Sequence, residues 1–445
     1  MKYLIVAFFC LLSVLPCEGR TITVDITGAA EFRSIRAAIS DSNDGDVIIV
    51  APGRYYEKIS FAGKNIVVRS TDPEDPAIVA GTVIDANSLG PVVKFAGTEV
   101  AECVLSGFTI TGGNAARGGG IYGGEPSQPG KIGTRATIEH NVVALNNSTG
   151  SGGGIANCDG LIQHNIVTQN TAANAGGGLW HCDGLIRGNT VSYNWSGHQG
   201  GGLCGCFGTI RNNVIFFNST VDWGGGINKS LEPNGVIENN TIYGNSARFG
   251  GGLCDCGPST ISNCIVVGNS ASVAGNQFYD FSDPHASPSY SCIEGGTQGT
   301  GNIDADPCFA DAGTGDYHLQ SRAGRWDGGG KSWACDGNTS ICIDTGNPGS
   351  SVGDEPNDGN NVRINIGAYG GSAEASMTPV NQALLADLTN DGIVDGRDFA
   401  LQAKDWLISG SNKFGDLNRN SIVDMADLTL LLDDWLRTTS RYAGL

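Results

Sequence analysis

Aliphatic residues along this chain come in short clusters set between glycines and asparagines, not in helical stripes. Glycine triplets begin at Gly118, Gly152, Gly176, Gly200, Gly224 and Gly250, and each is followed at once by Ile or Leu (Ile121, Ile155, Leu179, Leu203, Ile227, Leu253). Successive triplets start 34, 24, 24, 24 and 26 residues apart, a 24-residue period with small insertions. A second segment recurs within each period: Thr137-Ile138-Glu139-His140-Asn141, Leu161-Ile162-Gln163-His164-Asn165, Leu185-Ile186-Arg187-Gly188-Asn189 and Thr209-Ile210-Arg211-Asn212-Asn213. An aliphatic residue stands two after that Asn (Val143, Val167, Val191, Ile215, Ile242, Val266), and a second Asn five after it (Asn146, Asn170, Asn194, Asn218, Asn245, Asn269).

Three short β-branched segments per period cannot follow the 3.6-residue repeat of a helix. They predict an all-β fold, a three-faced parallel β-helix in which each strand pairs with its copy one coil on, about 4.8 Å away. Aliphatic side chains then stack inward, while Asn supplies turns and bonds to its copies above and below. Phe32 to Ile39 has helical spacing and precedes the strand Val47 to Val50, so it reads as the helical cap that a solenoid end needs. The repeats occupy 20–300, an aperiodic closing segment 301–376, and a short linker 377–386.

The entry segment resembles pectate-lyase-superfamily right-handed β-helices, and the Gly-Gly-Gly-Ile and Phe216-Phe217-Asn218 units resemble repeats of polymorphic outer-membrane autotransporters. Asp306-Pro307-Cys308-Phe309, Gly315 to Leu319, Cys342 to Gly346 and Arg363 to Tyr369 look like the closing segment of bacterial surface β-helix proteins, with a capping role expected at the solenoid's end. That fold hosts lyases, hydrolases and adhesins alike. Polygalacturonase-like enzymes carry Asn-Thr-Asp, Asp-Asp and Gly-His-Gly signatures. Here Gly197-His198-Gln199 is a fragment, and the sole Asp-Asp is Asp433-Asp434.

The strongest chemical motif lies in 387–437. Asp387, Thr389, Asp391, Asp395 and Asp398 set oxygen donors at positions 1, 3, 5, 9 and 12 of a loop, with Gly392 at the sharp turn and Ile393 offering its carbonyl. Asp416, Asn418, Asn420, Asp424 and Asp427 repeat the pattern 29 residues on, with the Ile422 carbonyl and with Ser421 where glycine is expected. Each loop leads into an amphipathic helix ending in Asp-Trp-Leu. Two loops with one helix each resemble a type I dockerin. The resemblance implies two Ca2+ ions, a cohesin-type partner, and partner-facing residues at Gly396, Arg397, Met425 and Ala426. These differ between the loops, unlike a symmetric dockerin. A tail, 438–445, follows.

Composition adds the compartment and excludes some partners. Lys2, the apolar run Tyr3 to Leu15 and Gly19 have the form of a signal peptide over 1–19, too short to span a bilayer, so a secreted or cell-surface protein is expected. Its removal would leave twelve of the 14 cysteines, an even number that fits disulfides of unreadable connectivity. A net charge of −19 argues against nucleic acid. Cys158, Cys182, Cys206 and Cys256 share one phase, as a buried thiol stack or as adjacent-coil disulfides.

Phase also turns sequence into distance. Asp159 and Asp183 should stand one coil apart, a pair able to serve retaining glycoside hydrolysis or to hold a cation, though each is also the Asp of an Asp-Gly turn. Arg187 and Arg211 share the row Glu139, Gln163, Arg187, Arg211, Glu238. They could grip an acidic polysaccharide or stabilise a lyase intermediate, or be solvated and neutralised by Glu238. His140 and His164 read as structural. Trp180, Trp195 and Trp223 offer rings for sugar stacking or corner cover. Two functions follow: a dockerin-borne protein that engages and degrades polysaccharide, or a non-catalytic adhesin or spacer.

Overall fold

A computed structural model describes residues 19–124, 133–228, 235–257, 259–281, 285–356, 361–379, 384–410 and 413–439. The signal segment (Gly19 apart), Asn381 and Gln382 of the linker, and the tail from 440 onward lie outside the described residues. Parallel pairing of each strand with its copy one coil on builds four sheets, which we name A to D. Each regular coil visits sheet A (Leu161–Gln163), sheet B (Ile166–Thr168), sheet D (Thr171–Ala172) and sheet C (Leu179–Trp180) in turn. Sheets A and B have ten strands each, C nine and D seven. The three-faced expectation therefore becomes four paired segments. The extra one follows the second Asn, whose corner leaves room for a two-residue strand.

The core is a stack of equivalent aliphatics. Ile138, Ile162, Ile186, Ile210 and Ile237 are fully buried from sheet A, as are Ile155, Leu179, Leu203, Ile227 and Leu253 from sheet C. Helix α1 (Ile35–Asp41) covers the first coils with Ile35, Ala38 and Ile39. The Glu57 carboxylate accepts hydrogen bonds from its first amides, Ile35 N and Arg36 N, and favours the positive end of the helix. A second short helix, α2 (Pro76–Gly81), lies between sheets A and B. Among the described residues no helix is long and apolar enough to cross a membrane.

Two buried asparagine ladders hold the corners. Asn141, Asn165, Asn189, Asn213 and Asn240 form the first, each Nδ2 donating to the next Oδ1 at 3.0–3.1 Å. Asn146, Asn170, Asn194, Asn218, Asn245 and Asn269 form the second, at 2.9–3.0 Å. Each Oδ1 also accepts from the backbone N–H of the preceding copy, as Asn189 Oδ1 does from Asn165 N at 2.9 Å. The turn itself is made by the residue before each Asn: His140, Leu145, His164 and Gln169 all have φ near +55°. His140 and His164 stack at 5.2 Å in this corner role. The glycine triplets have two causes. Gly176 takes φ +64°, and a Cβ on Gly177 would stand 2.5 Å from the Trp195 carbonyl oxygen.

Cysteine expectations resolve toward packing. Cys158, Cys182, Cys206 and Cys256 are all buried, and no disulfide joins the described cysteines. Burial drives the Cys182 and Cys206 thiols well up, which keeps them neutral.

The closing segment does more than cap an end. Its hairpin (Phe309–Asp311 with Asp316–Leu319) folds back along sheet B, where Tyr317 packs on Phe216 and Tyr243 at 5.2 and 5.3 Å. Nor do the ends of the linker run free: Met377 N donates to Gly324 O at 2.8 Å, and Thr378, Leu384 and Ala386 are buried. The last module, with helices α3 (Gly396–Lys404) and α4 (Met425–Asp433), is seated against the solenoid. Fully buried Arg363 donates to Asp387 O at 2.6 Å and Gly346 O at 2.9 Å, Tyr290 Oη donates to Leu388 O at 3.0 Å, and Asn390 Nδ2 reaches Gly301 O and Thr345 O.

Two expectations follow. Asn189→Ala removes the acceptor of two buried donors, Asn165 N and Nδ2, and should cost about 2–4 kcal/mol in thermal unfolding, whereas Arg187→Ala should change stability by less than about 1 kcal/mol. Burial pushes the Glu355 carboxyl up to about 7. The folded state therefore keeps a proton that the unfolded chain releases near 4.5, so stability should fall as pH rises from about 4.5 through about 7. Glu355→Gln should abolish that fall, about 1–3 kcal/mol, in melts compared at about pH 5 and pH 8.

Candidate functional site

Strand alternation gives sheet C one inward and one outward row. In register, the second row runs Ser60, Lys94, Tyr122, Ala156, Trp180, Cys204, Asn228, Cys254 and Tyr279; Tyr122, Ala156, Cys204, Asn228 and Cys254 are buried, so it reaches solvent at Ser60, Lys94, Trp180 and Tyr279. At the first coils the row lies beside a cavity of about 700 Å3 lined by Lys58, Lys94, Arg117 and Tyr122 with Pro91 and Ala116. The Arg117 guanidinium lies 5.7 Å from the ring of Trp180, two strands further along sheet C, and so ties cavity to row. Lys58 Nζ donates to Leu89 O at 2.8 Å, which holds its ammonium at the rim. Lys94 and Arg117 are exposed. Three cations thus gather beside the half-buried ring of Trp180 on a chain of net charge −19. Such a surface can pair with carboxylate or sulfate groups while stacking flat rings.

The residues singled out from sequence divide among the sheets. Trp180 belongs to this surface. Trp195 stands on sheet D, 42% exposed, and Trp223 bridges to Gln199 and Phe249 at the turn into sheet C. Arg187 and Arg211 lie on sheet A, in register with Gln163 and Glu238. Arg187 Nε donates to Gln163 Oε1 at 2.9 Å, and Gln163 passes the chain on to Glu139. The arginine row and Trp180 are therefore on different sheets. The Asp159 carboxylate accepts from Gly133 N and from Asp183 N at 3.0 Å, and Asp183 accepts from Phe207 N at 3.0 Å. Both aspartates cap backbone amides of neighbouring coils.

Lys58, Lys94, Arg117 and Tyr122 were missed. Lys94 and Lys58 belong to coils that precede the first glycine triplet, so no repeat marks their phase. Arg117 and Tyr122 flank that first triplet, and extending the row backwards from Trp180 would have found Tyr122.

The two C-terminal loops have matching internal bonds. Asp387 accepts from Asp391 N and Gly392 N at 3.1 and 2.9 Å; Asp416 accepts from Asn420 N and Ser421 N at 3.0 and 2.7 Å. Asp398 and Asp427 close capping boxes with Asp395 and Asp424 at the starts of α3 and α4, and they accept from Thr389 N and Asn418 N. Ile393 N and Ile422 N donate to the Asp391 and Asn420 side chains. Gly392 has φ +87° and Ser421 φ +72°, so the serine takes the turn that glycine takes in the first loop. Burial, with Asp398 and Asp391 nearby, pushes Asp387 up to about 6. Arg397 pairs with Asp391 at 2.6 Å and with Asp395 at 3.0 Å. All-oxygen donors and crowded carboxylates suit a hard cation. Their oxygens are not drawn to one point, since no three acidic, His or Cys side chains among the described residues form a ready metal cluster. Of the expected partner-facing residues, Gly396 and Met425 begin the two helices and Ala426 follows, with Met425 well exposed.

A second cavity, about 640 Å3, lies between sheet B and the closing segment, walled by Tyr243, Phe309, Glu294, Asp304, Asp306 and Asn338. A family described as disaggregatase related matches residues 286–346, which supply most of that wall. No curated protein sequence matches the chain. Among solved structures the chain is similar to pectate lyase Pel9A (14% identity, 78% of this chain and 96% of that one, TM-score 0.44). It is also similar to the PL6 family alginate lyase AlyGC (14%, 68% and 56%, TM-score 0.29) and to a pectin methylesterase mutant in complex with a hexasaccharide (10%, 66% and 94%, TM-score 0.26).

Proposed function

We propose that this chain binds an acidic polysaccharide along the outward row of sheet C. The observation that carries the reading is Arg117 set against Trp180 beside Lys58 and Lys94, a cationic and aromatic surface on a strongly acidic protein. Carboxylates or sulfates of the glycan meet the guanidinium and ammonium groups, and the apolar face of a sugar stacks on the half-buried ring of Trp180. Among the described residues no carboxylate lines this cavity, and glycoside hydrolysis needs a pair of carboxylates, so the reading is one of binding and not of hydrolysis.

The C-terminal module supplies attachment in this reading. Asp387, Thr389, Asp391, Asp395 and Asp398 with the Ile393 carbonyl would hold one Ca2+, and Asp416, Asn418, Asn420, Asp424 and Asp427 with the Ile422 carbonyl the other. Bound calcium supplies the charge that Arg397 now offers Asp391 and Asp395. The exposed starts of α3 and α4 then face a cohesin-type partner outside the cell, after export directed by 1–19.

Two measurements test these statements. In calorimetric titration with polygalacturonate, Lys94→Ala with Arg117→Ala should weaken binding at least about tenfold, and salt should weaken the wild type. Arg187→Ala with Arg211→Ala should bind as the wild type does; loss of binding there would move the site to sheet A. Calcium added to the full chain should raise its melting temperature, and Asp391→Ala should remove most of that rise. A melt indifferent to saturating calcium would end the cation reading.

A further inference from the structure

The far end of the same row is built differently. Tyr279, the last outward residue of sheet C, packs against Phe281 at 4.8 Å and Phe249 at 5.2 Å, and Phe281 meets both Phe249 and Trp223 at 5.7 Å. These four rings come from three successive coils, Tyr279 and Phe281 from the same one. Phe249 pairs in a bridge with Trp223, one coil back, and Tyr279 pairs with Cys254. None of the four belongs to the apolar core, and Phe281 is 51% exposed. The rings are inclined to one another by 39° to 86°, so the cluster is an edge-packed apolar patch whose exposed ring is Phe281, with Trp223, Phe249 and Tyr279 half-buried around it.

A charged edge runs beside them. His198, Asp222 and Arg248 are the residues immediately before Gln199, Trp223 and Phe249, which are bridged coil to coil, so the three side chains rise in order along the axis. His198 Nδ1 lies 3.0 Å from Asp222 Oδ2, and Arg248 lies 4.0 Å from Asp222 Oδ1. Arg248 also stacks on Phe249, at 5.3 Å. The His198 and Arg248 side chains are 60% and 56% exposed, so Asp222 orients two polar groups that still face water. Rings for sugar faces with exposed donors at their edge are what a saccharide subsite requires.

We propose that Trp223, Phe249, Tyr279 and Phe281, edged by His198 and Arg248, form a second, stacking subsite for the same glycan, so that the site is linear and has a defined length. The proposal rests on the acidic-polysaccharide reading of the cationic cavity and adds its extent and polarity. From Lys94 to Tyr279 the row crosses seven strand steps, about 34 Å. A glycan whose rings repeat at roughly the strand spacing would need about seven sugars to pass from Lys94, over Trp180, to Tyr279, the positions of the row that reach solvent. The charged end takes acidic groups; the aromatic end takes ring faces.

Size-defined oligogalacturonates, from trimer to decamer, test this by calorimetric titration on the full chain. Affinity should rise with length by about tenfold between trimer and heptamer and then level off. Phe249→Ala with Phe281→Ala should lose that gain while binding the trimer as before. Phe281→Ala alone, at an exposed position, repeats the measurement where folding is not in question, and matching melts establish that. Lys94→Ala with Arg117→Ala should weaken every length. Equal affinity for trimer and decamer, or a decamer bound equally well without the two rings, overturns the stacking subsite and leaves the cationic cavity standing. Failure of every oligomer to bind the wild type defeats both.

Discussion

From Asn141 onward, each regular coil of this molecule puts an amide where the previous coil put one. A buried asparagine side chain without partners is costly, and with a copy of itself above and below it is satisfied on both sides. That condition can be met only if consecutive coils follow the same path between ladders. From Asn141 to Asn245 the spacing from first to second Asn is five residues in each coil, and the departures from the 24-residue period fall outside that interval. The ladders end by substitution: Gln277 receives Asn269 Nδ2 at 2.7 Å and passes its own amide to Glu294. The aliphatic stacks supply the bulk of the driving force. They are tolerant of small slips, and the amides are not.

Much of this was legible because a solenoid converts phase into position. Stacked isoleucines, the common phase of Cys158, Cys182, Cys206 and Cys256, the cap helix and the Arg187 to Arg211 neighbourhood could all be read by counting residues, though counting left thiols and disulfides both open for the cysteines. Sheet D could not, since Thr171-Ala172 and Ser219-Thr220 look like turn residues and become strands only because their copies lie alongside. The fold-back of the closing segment was also invisible. Its partners, Phe216 and Tyr243, are outward residues of sheet B that would pass as ordinary surface aromatics, and no period links them to Tyr317. Arg363 reads as a surface arginine and is wholly enclosed by backbone carbonyls.

The candidate site shows the same division. Phase found Trp180, but phase does not say which sheet carries which row, and the arginines stand on sheet A while Trp180 stands on sheet C. The cationic groups that do meet Trp180 come from irregular coils near the N-terminus, where the repeat has no triplet to mark it. Asp159 and Asp183 illustrate the converse. Their spacing suits chemistry, and their oxygens are occupied with amides of the next coils.

The grip of Arg363 on Asp387 has a mechanical meaning. A module on a flexible tether would let the solenoid point anywhere. Here the first loop is bolted to the solenoid through Arg363, Tyr290 and Asn390, and Arg419 fastens the second loop to Pro348 and Val362. Whatever holds the module therefore also sets the heading of the whole rod, and with it the compass direction in which sheet C looks. The protein behaves as a bracket and not as a lanyard.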